Sequence, residues 1–244
     1  MKDLFSGQSS DYARFRPTYP PALFAWLAGQ VSTRGTAVDV GAGSGQAAVA
    51  LAAHFERVLA IDPSEAQLAH AAPHPRVEYR RGQAEATGLA DGAGDLLVVA
   101  QALHWFEHER FFTEVRRVVA PGGVFAAWSY DLAHITPEVD AVVHGLGRER
   151  LGPYWEPERG LVETGYRTLA VPFPALAPPP FEMQLAWTFD HLVGYLKTWS
   201  PRQRYLKQHG TDPLDAILAD LRAAWGDVDT RRVSWPLAVR AFRL

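Results

Sequence analysis

Three glycines at alternate positions, Gly41, Gly43 and Gly45, precede an acid, Asp62, at the tip of what reads as the next strand. Glycine tolerates positive φ and leaves backbone N–H groups open to a ligand, since no Cβ stands in the way. The alanine-rich run from Gln46 to Phe55 reads as a helix, and its N-terminus would aim partial positive charge at whatever sits over the turn. An acid about 20 residues beyond such a turn can accept two hydrogen bonds from a ribose diol. Turn, helix and acid together predict a site for a nucleoside-containing cofactor, which a plain β-turn-α corner would not require.

A second group of candidates follows the apolar run Asp95–Ala100. His104 and Trp105 come just after it, at the C-terminal rim of a parallel sheet, where ligands bind in open α/β folds. His104 could act as a base, orient an acceptor as a donor, or simply bond to backbone; its type and position leave these readings open. Trp105 reads as a pocket wall, and Trp128 and Tyr130 close a fifth strand at the same rim. Of Tyr154, Trp155, Trp187, Trp199 and Trp225, two or three are expected to face an acceptor. Aromatic faces make a dry pocket and attract a cation by about 0.5–2 kcal/mol. An acidic ligand would need a cation, for which Arg148, Arg150, Arg202 and Arg204 are candidates. The histidines suggest no metal site: His104 and His108 lack a completing ligand, and Pro73 separates His70 from His74.

Five short strands, at 37–40, 57–61, 77–80, 95–100 and 124–128, alternate with helical segments such as Arg110–Val119. The fourth is apolar without alternation, as expected for a central strand buried on both faces. Such alternation argues for an α/β fold with a parallel sheet and right-handed crossovers. Ser64 and Gln67 form a capping box for a helix after Asp62. Residues 131–180 show no clear alternation, and Ala177-Pro178-Pro179-Pro180 reads as a linker back to the sheet. Phe181–Trp187 reads as a strand, Asp190–Trp199 and Leu214–Trp225 as helices, and Val233–Leu244 as a terminal strand broken by Pro236.

At 244 residues and 48% hydrophobic content, the chain can bury a large core. A net charge of −3 gives no electrostatic footprint for nucleic acid or an anionic membrane. No apolar run approaches a membrane span, the first ten residues do not read as a signal peptide, and the absence of cysteine excludes thiolate chemistry. The expectation is a cytoplasmic protein, monomeric or weakly dimeric, with a small-molecule substrate and no nucleic-acid or membrane partner. The preference for arginine and alanine suggests a GC-rich bacterial genome.

The runs Val38-Asp39-Val40-Gly41-Ala42-Gly43-Ser44-Gly45, Asp62-Pro63-Ser64, Gly82-Gln83-Ala84-Glu85, Ala100–Phe106 and Pro121-Gly122-Gly123 resemble the class I S-adenosylmethionine (SAM)-dependent methyltransferases. The likeness covers roughly residues 35–128. The run Tyr12–Pro20 and the sequence AQALHWF resemble more closely the small-molecule branch that includes trans-aconitate methyltransferase. The resemblance implies a Rossmann-like, seven-stranded, mostly parallel sheet with helices on both faces and a C-terminal antiparallel hairpin. It implies one domain: an arm at 1–21, a cofactor-binding core at 35–128, a substrate-covering elaboration at 130–232 and a terminal strand at 233–244.

For SAM, or the product S-adenosylhomocysteine, it implies the turn Gly41, Ala42, Gly43, Ser44 and Gly45 under the methionine part, with Asp62 on the ribose. Pro63, Gln83 and Ala84 would meet the adenine, Ala100 and Gln101 the methionine moiety, and Tyr12 and Arg16 the SAM carboxylate. His104, Trp105, Trp128, Tyr130, Tyr154 and Trp155 would meet the acceptor, for which an organic acid carboxylate is a candidate. Gln101-Ala102-Leu103-His104 replaces the Asn/Asp-Pro-Pro-aromatic run of enzymes that methylate nucleic-acid amines. A NAD(P)-dependent oxidoreductase is disfavoured by the third glycine, one residue too early for G-x-G-x-x-G, and by the lack of a Tyr-x-x-x-Lys pair. A SAM-binding module without catalysis would carry the same cofactor residues.

Overall fold

The computed structural model describes residues 17–244. In chain order the elements are α1 (Pro21–Gly29), β1 (Thr36–Val40), α2 (Gln46–Leu51), β2 (Arg57–Asp62), α3 (Glu65–Ala69) and β3 (Val77–Arg81). β4 (Gly94–Ala100), α4 (His108–Val118) and β5 (Val119–Ser129) follow. The second half contains α5 (Pro137–His144), α6 (Arg159–Glu163), β6 (Ala175–Leu176), β7 (Phe181–Trp187), α7 (Phe189–Lys197), α8 (Ser200–His209), α9 (Leu218–Trp225) and β8 (Arg231–Arg243).

The strands are ordered β3-β2-β1-β4-β5-β8-β6, and β7 also pairs with β8. The first five are parallel neighbours; β8 runs antiparallel to β5, β6 and β7. The fold is the expected Rossmann-like one, with eight strands rather than seven because the sixth position is split. Leu176 faces Ala241 and Phe181 faces Leu237, so β6 and β7 follow β8 in nearly one register. The three prolines therefore interrupt an edge already in the sheet, where missing N–H donors are tolerated, instead of returning the chain to it.

Pro236 does not break β8. Ser234 donates its N–H to the His134 carbonyl at 2.9 Å and accepts from the His134 N–H at 2.8 Å. Pro236 has the same parity, so its nitrogen also faces away from β7, and their ladder loses no donor. Pro121-Gly122-Gly123 likewise lies inside β5, at a register shift against β4, rather than between helix and strand.

Alternate strand residues enter two apolar clusters. Val58, Leu96, Val98 and Ala126 pack on one face with α1, α2, α5, α7 and α9; Leu59, Leu97, Val99 and Ala127 pack on the other with α4 and α6. This period-two division, with both faces covered, explains the unbroken apolar run of β4. Helices α5 and α8 were hidden by prolines that sit in their first turns, where the missing N–H would be unsatisfied anyway.

Candidate functional site

The turn after β1 is tied to the tip of β2. Gly41 and Ala42 donate their N–H groups to the Ile61 carbonyl at 2.8 and 3.1 Å. Asp62 is 2% exposed; its Oδ2 accepts from the Gly43 N–H at 2.8 Å and its Oδ1 from the Ser64 N–H at 2.9 Å. The expected acid thus organises the glycine turn and starts α3, where the Ser64 side chain accepts from the Gln67 N–H as one half of the expected capping box, while the Ser64 N–H goes to Asp62 rather than to the Gln67 side chain. Gly41 and Gly45 have φ of +73° and +84°. A Cβ at Gly45 would lie 2.2 Å from the Tyr79 hydroxyl, and one at Gly41 2.7 Å from the Ala102 Cβ. Beneath the turn, Asp39 is fully buried, and neither carboxylate oxygen has a hydrogen-bond partner among the described residues. Burial, and then the neighbouring Asp62 charge, push its pKa up to about 7.

The exit of β4 forms the next wall. Gln101 takes a left-handed φ of +55°. Its Nε2 donates to the Tyr130 carbonyl and its Oε1 accepts from the Tyr130 N–H, both at 2.9 Å, clamping the β4 and β5 tips together. A short 3₁₀ turn, Leu103–Trp105, then places the buried His104 beside Trp105, with ring centroids 4.6 Å apart. His104 Nδ1 lies 3.1 Å from the Tyr166 hydroxyl. Burial, with smaller contributions from Arg159 and His108, lowers the His104 pKa to about 4, so the ring is neutral at pH 7. Tyr166 is fully buried at a φ of +59°, and its carbonyl accepts from the Arg240 guanidinium.

Turn and rim enclose a cavity of about 250 Å³. Of the residues expected at the cofactor, Gly41, Ala42, Gly43, Ser44, Asp62, Ala100 and Gln101 line it. Gly45 instead sits under Tyr79, and Pro63, Gln83 and Ala84 lie outside the lining, where Ser64 and Gln67 take part. Ala84 is buried in the core on the α4 face. Tyr12 and Arg16 fall outside the described residues; Pro17 and Tyr19 line the cavity, and the Pro17 carbonyl accepts from Gln46 Nε2 at 3.1 Å.

Of the residues expected at the acceptor, His104, Trp105, Tyr130 and Trp155 line the cavity, while Trp128 and Tyr154 do not. Trp128 is fully buried against Tyr19 and Phe24, because its side chain leaves β5 toward α1. Tyr154 packs on Tyr205 and reaches His209 with its hydroxyl. Trp155 and Trp199 are the two of the five late aromatics that line the cavity, and Tyr195 joins them.

The four candidate arginines are not in the lining. Arg148 pairs with Asp131, Arg202 with Asp212 and Arg204 with Glu156. Arg159, which the sequence reading missed, does line it. Its guanidinium stacks 3.8 Å over the Trp155 ring and pairs with Asp131. Its Nε is buried without a hydrogen-bond acceptor among the described residues, 3.4 Å from a Glu163 oxygen. No local spacing marks Arg159, because Trp155 lies in extended backbone ahead of α6. Tyr166 likewise gave no signal, being 62 residues from the histidine it contacts.

Comparison with known proteins agrees with this geometry. A family model described as a methyltransferase domain matches residues 38–127, from β1 into β5. A Dictyostelium discoideum protein named as a methyltransferase is 35% identical over 231 residues, 93% of this chain and 88% of its own length. A Mycobacterium tuberculosis protein, also named a methyltransferase, is 37% identical over 124 residues, half of each chain. A solved structure from Anaeromyxobacter dehalogenans, described as a type II methyltransferase, is 51% identical, covers 94% of this chain and 98% of that one, and superposes with a TM-score of 0.88. With these relatives and this sheet, the chain belongs to the class I SAM-dependent methyltransferases.

Proposed function

We propose that this methyltransferase binds SAM between the Gly41–Ser44 turn and Asp62 and methylates a small organic acid at a carboxylate oxygen. The observation that carries this reading is continuity: one cavity is lined both by the turn and Asp62 and by Trp155, Tyr195, Trp199 and Arg159. The residues fit the cofactor. Asp62, oriented by the Gly43 and Ser64 N–H groups, lines the cavity beside the turn, where a carboxylate suits a ribose diol, and the turn closes on its own backbone with little side-chain bulk. When bound, SAM would supply an electrophilic methyl group to the acceptor oxygen, with its sulfur as the leaving group.

The protein's own contribution is alignment and exclusion of water. Gln101 fixes the β4–β5 rim, and Trp105, Trp155 and Trp199 wall the site. Arg159, held by Trp155, Asp131 and Glu163, is the cation in the lining toward which an anionic acceptor would orient. His104, neutral and held by Tyr166, orients the acceptor without acting as an acid. A carboxylate has no proton to lose, so the weak basicity of His104 is no obstacle. In this reading residues 35–128 hold the cofactor, 130–232 cover the acceptor, and both belong to one domain closed by the terminal strand; the protein works as a cytoplasmic monomer or weak dimer.

The test is incubation with methyl-labelled SAM and separate panels of organic acids and amines. Label in a base-labile methyl ester is expected. Arg159→Gln should raise KM for the acid about 10- to 100-fold with a smaller change in kcat, the loss expected for one charged hydrogen bond. Label in amines alone would contradict the acid and would point to Asp131 and Glu156, which also line the cavity.

A further inference from the structure

A second group of ligand-type side chains lies outside the cavity lining. His134, Asp140 and His144 each bring one ligand atom within 4.8 Å of the other two. No metal pattern was legible there in the sequence, because His134 precedes α5 while Asp140 and His144 share one of its faces at i, i+4. We propose that these three residues form a binding site for a first-row divalent cation of the Zn2+ type.

Each ligand is already held by neighbouring backbone. Both backbone hydrogen bonds between His134 and Ser234 pin the first ligand to β8. Asp140 accepts from the Ile135 N–H through Oδ1 at 2.7 Å, which turns Oδ2 toward His134 Nδ1, 3.5 Å away. Two ligands about 2.0–2.1 Å from a tetrahedral ion stand about 3.3 Å apart, so this gap accepts an ion with little movement. The His134 and His144 rings are nearly perpendicular, with centroids 5.8 Å apart. His144 Nε2 lies 3.2 Å from the Ala133 carbonyl oxygen. A ring that donates one N–H to a carbonyl presents its other nitrogen as a lone pair, the arrangement that orients metal-bound histidines. Two imidazoles and a carboxylate suit Zn2+ and leave a fourth position open to water, since His134 is exposed. An ion there would fasten α5 to His134, which bridges to Ser234 of β8 and follows the cavity-lining Tyr130–Leu132 run.

The test is calorimetric titration of the untagged, metal-free full chain with Zn2+ at pH 7.5, with Co2+ as a spectroscopic probe. One ion per chain at micromolar affinity is expected, with visible Co2+ absorption of a four- or five-coordinate site. His134→Ala changes an exposed side chain, and His144→Gln preserves the helix; each should weaken binding at least tenfold, whereas His70→Ala should not. Absence of binding, or binding unchanged in His134→Ala and His144→Gln, would overturn the proposal. Neither outcome depends on methyl transfer, so this site and the reading of the cavity stand or fall separately.

Discussion

Asp39 and Asp62 are two buried carboxylates with opposite circumstances. Asp62 accepts backbone hydrogen bonds from Gly43 and Ser64, whereas at Asp39 burial and the Asp62 charge outweigh the nearby Ala48 backbone N–H and push the carboxyl up to about 7. Folding therefore retains a proton on Asp39 that the unfolded chain releases above its ordinary pKa of 3.8. Its effect on stability is neutral below about pH 4 and increasingly unfavourable as pH rises to 7, by at most about 4 kcal/mol. Asp39→Asn should consequently stabilise the protein by about 1–3 kcal/mol at pH 8 and by much less at pH 5, in urea denaturation at the two pH values. Both acids were visible in the sequence, but only Asp62 had a legible role, since its distance from the turn is local information. Arg159 and Tyr166 were not legible as site residues: their partners Asp131 and His104 lie 28 and 62 residues away, and only the closed fold brings them near.

At the scale of elements, the β1–α2 corner depends on backbone that ordinary residues resist. Gly45→Ala would combine a positive φ with a Cβ 2.2 Å from the Tyr79 hydroxyl. It should cost at least about 2 kcal/mol in denaturant unfolding and weaken SAM binding, because the turn must open. Helix α4 is fastened to the β3–β4 loop by Glu114, which accepts from the Thr87 N–H and hydroxyl at 2.7 and 2.6 Å and from Arg117. Burial alone would raise the Glu114 pKa, but hydrogen bonds from Arg117 and Thr87 outweigh it and hold it at about 2. Its contribution is complete above the ordinary 4.5 and is lost as pH falls through about 2. Glu114→Gln should cost about 2–3 kcal/mol at pH 7, with the difference vanishing near pH 2, measured by unfolding across that range. The parallel strands were legible because apolar runs and turns are local signals. The split edge strand, the passage of β8 through Pro236, and helices α5 and α8 were not, since tolerance of proline depends on which side of a strand or which turn of a helix it occupies.

At the scale of the molecule, one sheet positions the turn and the rim of the cavity, and the helical segment after β7 adds Tyr195 and Trp199. The ends of β1, β2, β4 and β5 bring the turn, Asp62, Gln101 and Tyr130 to a common rim, and the segments between β5 and β7 add Trp155 and Arg159. No helix among the described residues is long and apolar enough to cross a membrane. The family fixes methyl transfer; the central claim for this chain is that Asp62 and the glycine turn bind the donor. Calorimetric titration with SAM, S-adenosylhomocysteine and NAD in parallel tests it most directly. Micromolar binding of the first two and none of NAD is expected, with at least a 100-fold loss in Asp62→Ala that circular dichroism shows to be folded. Binding of NAD alone, or SAM binding unchanged by Asp62→Ala, would contradict the account.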